Sequence, residues 1–155
     1  MIEFTNKIYV ERPLKEVFEF ISDFENLPKW NYYVTEANKL VDGPVDVGTQ
    51  YHQVRKTDQQ QFQVVEYEQN QVVAIETLPP ERKLRMRFQF DPVNGGVEIT
   101  DTWQLEADAP GPLNWLAKKK VKAAVSQNLA KLKRLLEHGR VTLQDGRVEM
   151  LERVS

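Results

Sequence analysis

A chain of 155 residues with 41% hydrophobic and 10% aromatic side chains suits one soluble domain, large enough to bury roughly 70% of its unfolded surface. Its 21 basic and 23 acidic residues leave a net charge of −2, so no overall electrostatic pull toward nucleic acid is expected. The lack of cysteine removes disulfides, thiol nucleophiles, zinc ribbons and iron–sulfur clusters together, and it permits a reducing compartment.

No apolar run reaches the ~18 residues that span a bilayer, and the acidic start Met1-Ile2-Glu3 does not read as a signal peptide. The expected location is cytoplasmic. In chain order, Phe4, Asn6, Ile8 and Val10 alternate with Thr5, Lys7, Tyr9 and Glu11, which is a strand with one inward face. Arg12-Pro13 ends it, and Leu14, Val17, Phe18 and Ile21 supply the buried side of a short helix over Leu14 to Ser22. Asp23 is placed to cap a second, very short helix that Pro28 terminates.

From Val34 to Leu105 the pattern is that of strands. They are expected over Val34–Val41, Thr49–Lys56, Phe62–Glu68, Val72–Thr77, a run through Leu84 to Phe90, and Val97–Leu105. The breaks are Asp42-Gly43-Pro44, Asp58, Gln69-Asn70-Gln71, Pro79-Pro80 and Gly95-Gly96. Leu84, Met86, Phe88 and Phe90 alternate with Arg85, Arg87 and Gln89, so the sheet has one dry and one wet face. With the first strand this makes an antiparallel meander of seven strands.

One long helical pattern follows, Pro112 to Glu137. At 100° per residue Leu113, Ala117, Val121, Ala124, Val125, Leu129, Leu132, Leu135 and Leu136 share an arc, with Lys119, Lys122, Ser126, Lys133 and Glu137 opposite. Pro112 suits the first turn, and Gly139 suits a left-handed cap. An open sheet with a dry face must be covered, and this helix is its adequate cover. The fold class is therefore α+β: a curved seven-stranded antiparallel sheet gripping a long C-terminal helix, with two short helices after the first strand. Beyond it, Val141-Thr142-Leu143-Gln144 and Arg147-Val148-Glu149-Met150 flank Asp145-Gly146, a two-residue hairpin signal. That register pairs Leu143 with Val148 and Val141 with Met150 on one apolar face, which must dock on the domain or on a second subunit. Residues 1–139 are read as a ligand-binding domain and residues 140–155 as a hairpin extension.

The chain resembles the helix-grip superfamily of START domains, birch-pollen-allergen-like proteins and polyketide cyclase/dehydrase-like (SRPBCC) proteins. The resemblance is carried by Ile8-Tyr9-Val10-Glu11-Arg12-Pro13 with Val17-Phe18, and by Asp23-Phe24-Glu25-Asn26-Leu27-Pro28-Lys29-Trp30. Val47-Gly48-Thr49, Gly95-Gly96-Val97-Glu98-Ile99 and Gly111-Pro112-Leu113 extend it over about residues 2–138. It implies a cavity between helix and sheet for a hydrophobic small molecule such as a lipid, polyketide or quinone. Members range from carriers to cyclases, and fold alone does not choose among them.

Three inward-facing runs are each broken by one polar residue: Asn6, Asp101 and Asn128. Each either bonds a neighbouring backbone or belongs to the few polar groups that orient a ligand in an apolar cavity. A carboxylate between Ile99 and Trp103 is the hardest to satisfy; if dry, its pKa rises toward that of a general acid or base. A salt bridge to Arg85 or Arg87 is the alternative, although both point outward by alternation. The expected cavity wall is Asn6, Ile8, Trp30, Tyr51, Met86, Phe88, Ile99, Trp103, Val121, Ala124, Asn128 and Leu132. The face of His52 is left open by ragged alternation, and His138 sits at the helix end, where an imidazolium suits the dipole. Two separated histidines without clustered carboxylates argue against a metal, and no cofactor is expected.

Lys118, Lys119, Lys120 and Lys122 beside Trp115 and Leu116 read first as a solvated face, with contact to an anionic membrane surface as the alternative. The function reading is a carrier or sensor of a hydrophobic small molecule. Its rivals are a cyclase or dehydratase using Asp101, with Asn6 and Asn128 holding an oxygen, and a module that presents a lipid or quinone to a partner. The expected partners are the small molecule and, through the hairpin, a second copy of the chain.

Overall fold

The computed structural model describes residues 1–106 and 111–151. Residues 152–155, the end of the expected hairpin extension, lie outside the described residues. The strands are β1 (Ile2–Val10), β2 (Val34–Lys39), β3 (Gln50–Arg55), β4 (Gln59–Glu68), β5 (Val72–Thr77), β6 (Leu84–Val93) and β7 (Gly96–Leu105). They form one antiparallel sheet in the order β1-β7-β6-β5-β4-β3-β2. The meander therefore runs from β2 to β7, and β1 joins it beyond β7 rather than beside β2. Helix α1 (Leu14–Ser22) and a 3₁₀ helix (Phe24–Lys29) carry the chain from one edge of the sheet to the other.

Asp23 caps the 3₁₀ helix, its Oδ1 accepting from Glu25 N at 3.2 Å. Pro28 sits inside this helix and does not end it. Proline's fixed φ near about −65° lies within the 3₁₀ range, so it costs this helix only the one bond its missing N–H would have made. This short element has a large consequence. Phe24 drives its ring against Tyr51, Phe62 and Phe88, at centroid distances of 5.7, 5.8 and 6.4 Å. One end of the sheet's inner face is thereby filled with aromatic core.

Helix α2 (Gly111–His138) lies across the same face. Gly139, at φ +77°, supplies the left-handed cap, and its N–H donates to Leu135 O at 2.8 Å. The last turns are pinned to the end of β1: Glu11 N donates to Glu137 Oε2 at 2.8 Å, and Lys133 bridges Glu137 and the Tyr9 carbonyl. The expected apolar arc is used unevenly. Val125, Leu129, Leu132, Leu135 and Leu136 are buried, Ala117 and Val121 are half-buried, and Leu113 is exposed. The C-terminal half of α2 packs the core; the N-terminal half extends past it.

The hairpin forms as β8 (Arg140–Thr142) and β9 (Val148–Met150), but one residue out of the expected register. Arg140 faces Met150, Val141 faces Glu149 and Thr142 faces Val148. The cause is the turn. Gly146 takes φ +86° and donates to Leu143 O at 3.0 Å, while Leu143 N donates to Arg147 O at 2.8 Å, so three residues are looped out. An odd loop flips one strand's side chains to the other face. Val141 and Leu143 are buried in the domain core, whereas Val148 and Met150 point out, 44% and 62% exposed.

Candidate functional site

Between the N-terminal half of α2 and the end of the sheet left open by the Phe24 plug lies a cavity of about 300 Å³. That is at the small end of the range for ligand pockets. Its apolar wall includes Leu27, Val34, Phe62, Ile75, Leu84, Met86, Trp103, Val121, Ala124 and Val125. Its polar groups are few: Asn31, Tyr33, Gln53, Arg55, Thr77, Lys120 and Asn128.

Most of these polar groups are already held. Asn128, 4% exposed, donates through Nδ2 to Asn31 Oδ1 at 3.3 Å. Its Oδ1 accepts from Tyr32 N at 3.4 Å and from Gln144 Nε2 of the hairpin turn at 3.5 Å. Arg55 grips Asp58 through two bonds of 2.7 Å, which hold the Asp58 carboxyl below the usual carboxylate range and raise Arg55. Gln53 Nε2 donates to Gln60 Oε1 at 3.0 Å. The cavity thus offers a mostly apolar slot with a prearranged polar rim.

Of the residues expected to line it, Met86, Trp103, Val121, Ala124 and Asn128 do so. Trp30, Tyr51, Phe88, Ile99 and Leu132 are instead packed in the core, where Phe24 and Trp30 fill the space a larger cavity would need. Asn6 and Ile8, half-buried on the edge strand, lie under α2; Asn6 Nδ2 donates to the Lys122 carbonyl at 3.4 Å. His52 is on the outer face, in contact with Gln59 Oε1 at 3.0 Å, in a groove with Pro79 and Pro80.

Asp101 is fully buried between Asn6 on β1 and Phe88 on β6. Trp103 Nε1 donates to its Oδ2 at 3.0 Å, and its Oδ1 has no partner among the described residues. Loss of solvation pushes the carboxyl up to about 7, opposed by the Trp103 bond. Arg85 and Arg87 do face outward, where both pair with Glu66. Asp101 is not in the cavity wall; the Trp103 side chain that bonds it is. Among the described residues no group of three or more histidine, cysteine, aspartate or glutamate residues could hold a metal.

The expected wall did not include the apolar Leu27, Val34, Phe62, Ile75, Leu84 and Val125, nor Asn31, Tyr33, Gln53, Arg55, Thr77 and Lys120. A signal existed for three of them: Gln53 and Arg55 follow Tyr51 at the two-residue strand period and share its inner face, and Leu84 shares the dry face of Met86.

A long C-terminal helix gripped by a seven-stranded antiparallel sheet over an apolar cavity defines the helix-grip class. Within it, the chain belongs to the polyketide cyclase/dehydrase and lipid transport family, whose model matches residues 1–137. The fold is shared with the Aha1 dimer of Colwellia psychrerythraea, solved in solution (TM-score 0.68, 18% identity, 90% of this chain and 98% of that one). It is shared also with TTHA0849 of Thermus thermophilus (0.70, 18%, 86% and 96%) and MLL2253 of Mesorhizobium loti (0.70, 13%, 90% and 99%). Likeness at such identities concerns the fold. No curated relative matches the chain in sequence.

Proposed function

We propose that the protein binds a hydrophobic small molecule, of lipid, polyketide or quinone type, in the cavity under α2 and serves as its carrier or sensor. The observation that carries this reading is a mostly apolar slot whose polar groups are largely held by protein partners. Asn31 and Asn128 are held by each other, Gln53 by Gln60 and Arg55 by Asp58, an arrangement suited to positioning an apolar ligand. Family membership supports it. Mass spectrometry of the gently purified protein should reveal a co-purified apolar compound. Ala124→Phe should fill the slot and weaken binding of the fluorescent probe 1-N-phenylnaphthylamine at least about tenfold, roughly 1.4 kcal/mol, with the circular dichroism spectrum unchanged. Equal probe affinity in that variant would move the site elsewhere.

The enzyme reading draws on one observation, a dry Asp101 poised near neutrality. Its weakness is position, since the carboxyl stands behind Trp103 rather than in the wall. Asp101→Asn would abolish turnover of a true substrate under this reading and leave probe binding within about tenfold.

A homodimer through the hairpin draws on the outward Val148 and Met150, and on the dimeric Colwellia structure. Sedimentation should then show a monomer for Val148→Ser with Met150→Ser, a pair that leaves the buried Val141 and Leu143 in place. An unchanged oligomeric state would leave β8–β9 as an intramolecular cap. Cytoplasmic location accords with the cysteine-free chain; among the described residues no helix is long and apolar enough to cross a membrane.

A further inference from the structure

The first three turns of α2 carry a surface of which the cavity uses only Lys120 and Val121. Leu113, Trp115 and Leu116 are 56%, 60% and 55% exposed, large apolar side chains set around the circumference of one helix end, as an end-on contact would need. Lys118, Lys119, Lys120 and Lys122 follow at once, all exposed, and among the described residues none of them pairs with a carboxylate. Lys119 Nζ lies 5.5 Å from the Trp115 ring centroid, so its charge rests against an aromatic face. The chain as a whole is acidic, so this basic end is a local charge asymmetry rather than a general property.

We propose that this end of α2 docks on an anionic lipid bilayer. The chemistry distinguishes a bilayer from a protein partner. The cations are all lysine, which is depleted from protein–protein interface cores, whereas arginine is enriched there. Lysines snorkel readily, laying their stems along apolar groups while the ammonium stays at the headgroups. A tryptophan flanked by leucines and lysines is the composition of an interfacial helix end. The charge sign matches a phosphatidylserine surface, with each lysine near it strengthening attachment.

Geometry ties the surface to the cavity. Leu113, Leu116, Lys120 and Ala124 recur at three- and four-residue spacing, so they form one stripe along the helix. Lys120 and Ala124 line the cavity, and the exposed leucines continue that stripe outward. A bilayer against Leu113 and Leu116 would meet the cavity edge, so an apolar molecule could pass between them with little contact with water. This last step rests on the carrier reading; the docking itself does not.

The test is co-sedimentation of the full chain with vesicles of phosphatidylcholine alone or with about 30% phosphatidylserine, a composition that gives a negative surface. The wild type should partition onto the anionic vesicles, weakly or not at all onto neutral ones, and be released as salt is raised. Lys118→Gln with Lys119→Gln, and separately Trp115→Ser with Leu116→Ser, should each weaken partitioning by about tenfold or more. Both pairs are exposed, so the melting temperature and 1-N-phenylnaphthylamine affinity should be unchanged. Failure of the wild type to partition, or partitioning of both variant pairs at the wild-type level, would overturn the proposal. So would self-association in vesicle-free sedimentation that only the Trp115/Leu116 pair abolishes, since the face would then belong to a second copy. Vesicle binding without probe binding would sink the carrier reading and leave the docking surface standing.

Discussion

At the scale of single residues, Asp101 has the sharpest consequence. Folding raises its carboxyl from 3.8 to about 7, so the folded state holds a proton that the unfolded chain gives up at lower pH. The associated stability is fully present below about pH 4 and is lost as pH rises from there through about 7. The wild type should therefore lose stability between pH 5 and 8.5 relative to Asp101→Asn, which cannot titrate. The change in their difference should be roughly 2–3 kcal/mol, read from denaturant midpoints at each pH. A difference that stays flat would mean the carboxyl is solvated or paired in solution. Asn128 contrasts with it, since its amide is bonded by Asn31 and Tyr32 from one segment and by Gln144 from another. It belongs to the cavity wall and to the tertiary lock at once.

At the scale of elements, the hairpin shows how one turn residue sorts side chains. In the observed register Leu143 is buried in the domain core and Met150 is 62% exposed. Leu143→Ala should cost about 2–4 kcal/mol, as for other buried leucines, while Met150→Ala should stay within about 0.5 kcal/mol. A two-residue turn would put both on one face and give comparable losses. Thermal or urea unfolding of the two variants decides between them. The hairpin tip also reaches inward: Lys56 Nζ contacts Asp145 Oδ2 at 3.3 Å and Arg147 Nη2 donates to Pro28 O at 3.0 Å. These contacts hold the segment that carries Asn31 and Tyr33 to the cavity rim.

At the scale of the whole molecule, packing is graded along α2. From Leu129 onward the helix seals the core, and before it the same face borders the cavity, over Val121 to Asn128, and then solvent. Stability against local opening should follow that gradient. Amide exchange of residues 113–122 should be faster by about tenfold or more than that of residues 129–136, since buried contacts set the opening free energy. Filling the cavity with probe should slow the first group more than the second. Uniform exchange along the helix would imply that the cavity is closed and packed in solution.

The strand periods, breakers and single long helix were legible because side-chain alternation and Gly/Pro punctuation are local properties. They were enough to read an α+β sheet gripping a helix, and they named Met86, Trp103, Val121, Ala124 and Asn128 among the wall. The polar interruption at Asp101 also marked a buried carboxyl, because a carboxylate between Ile99 and Trp103 shares their face. Tertiary structure decided the rest. Alternation tells which face of a strand is inner, but not how much of that face another element fills; Phe24 on a six-residue 3₁₀ helix plugged one end and turned Tyr51 and Phe88 into core. The partner of β1 and the exposure of Leu113 depended likewise on where distant segments came to rest. Such contacts are made across long sequence separations, and a residue's own neighbours in the chain do not encode them.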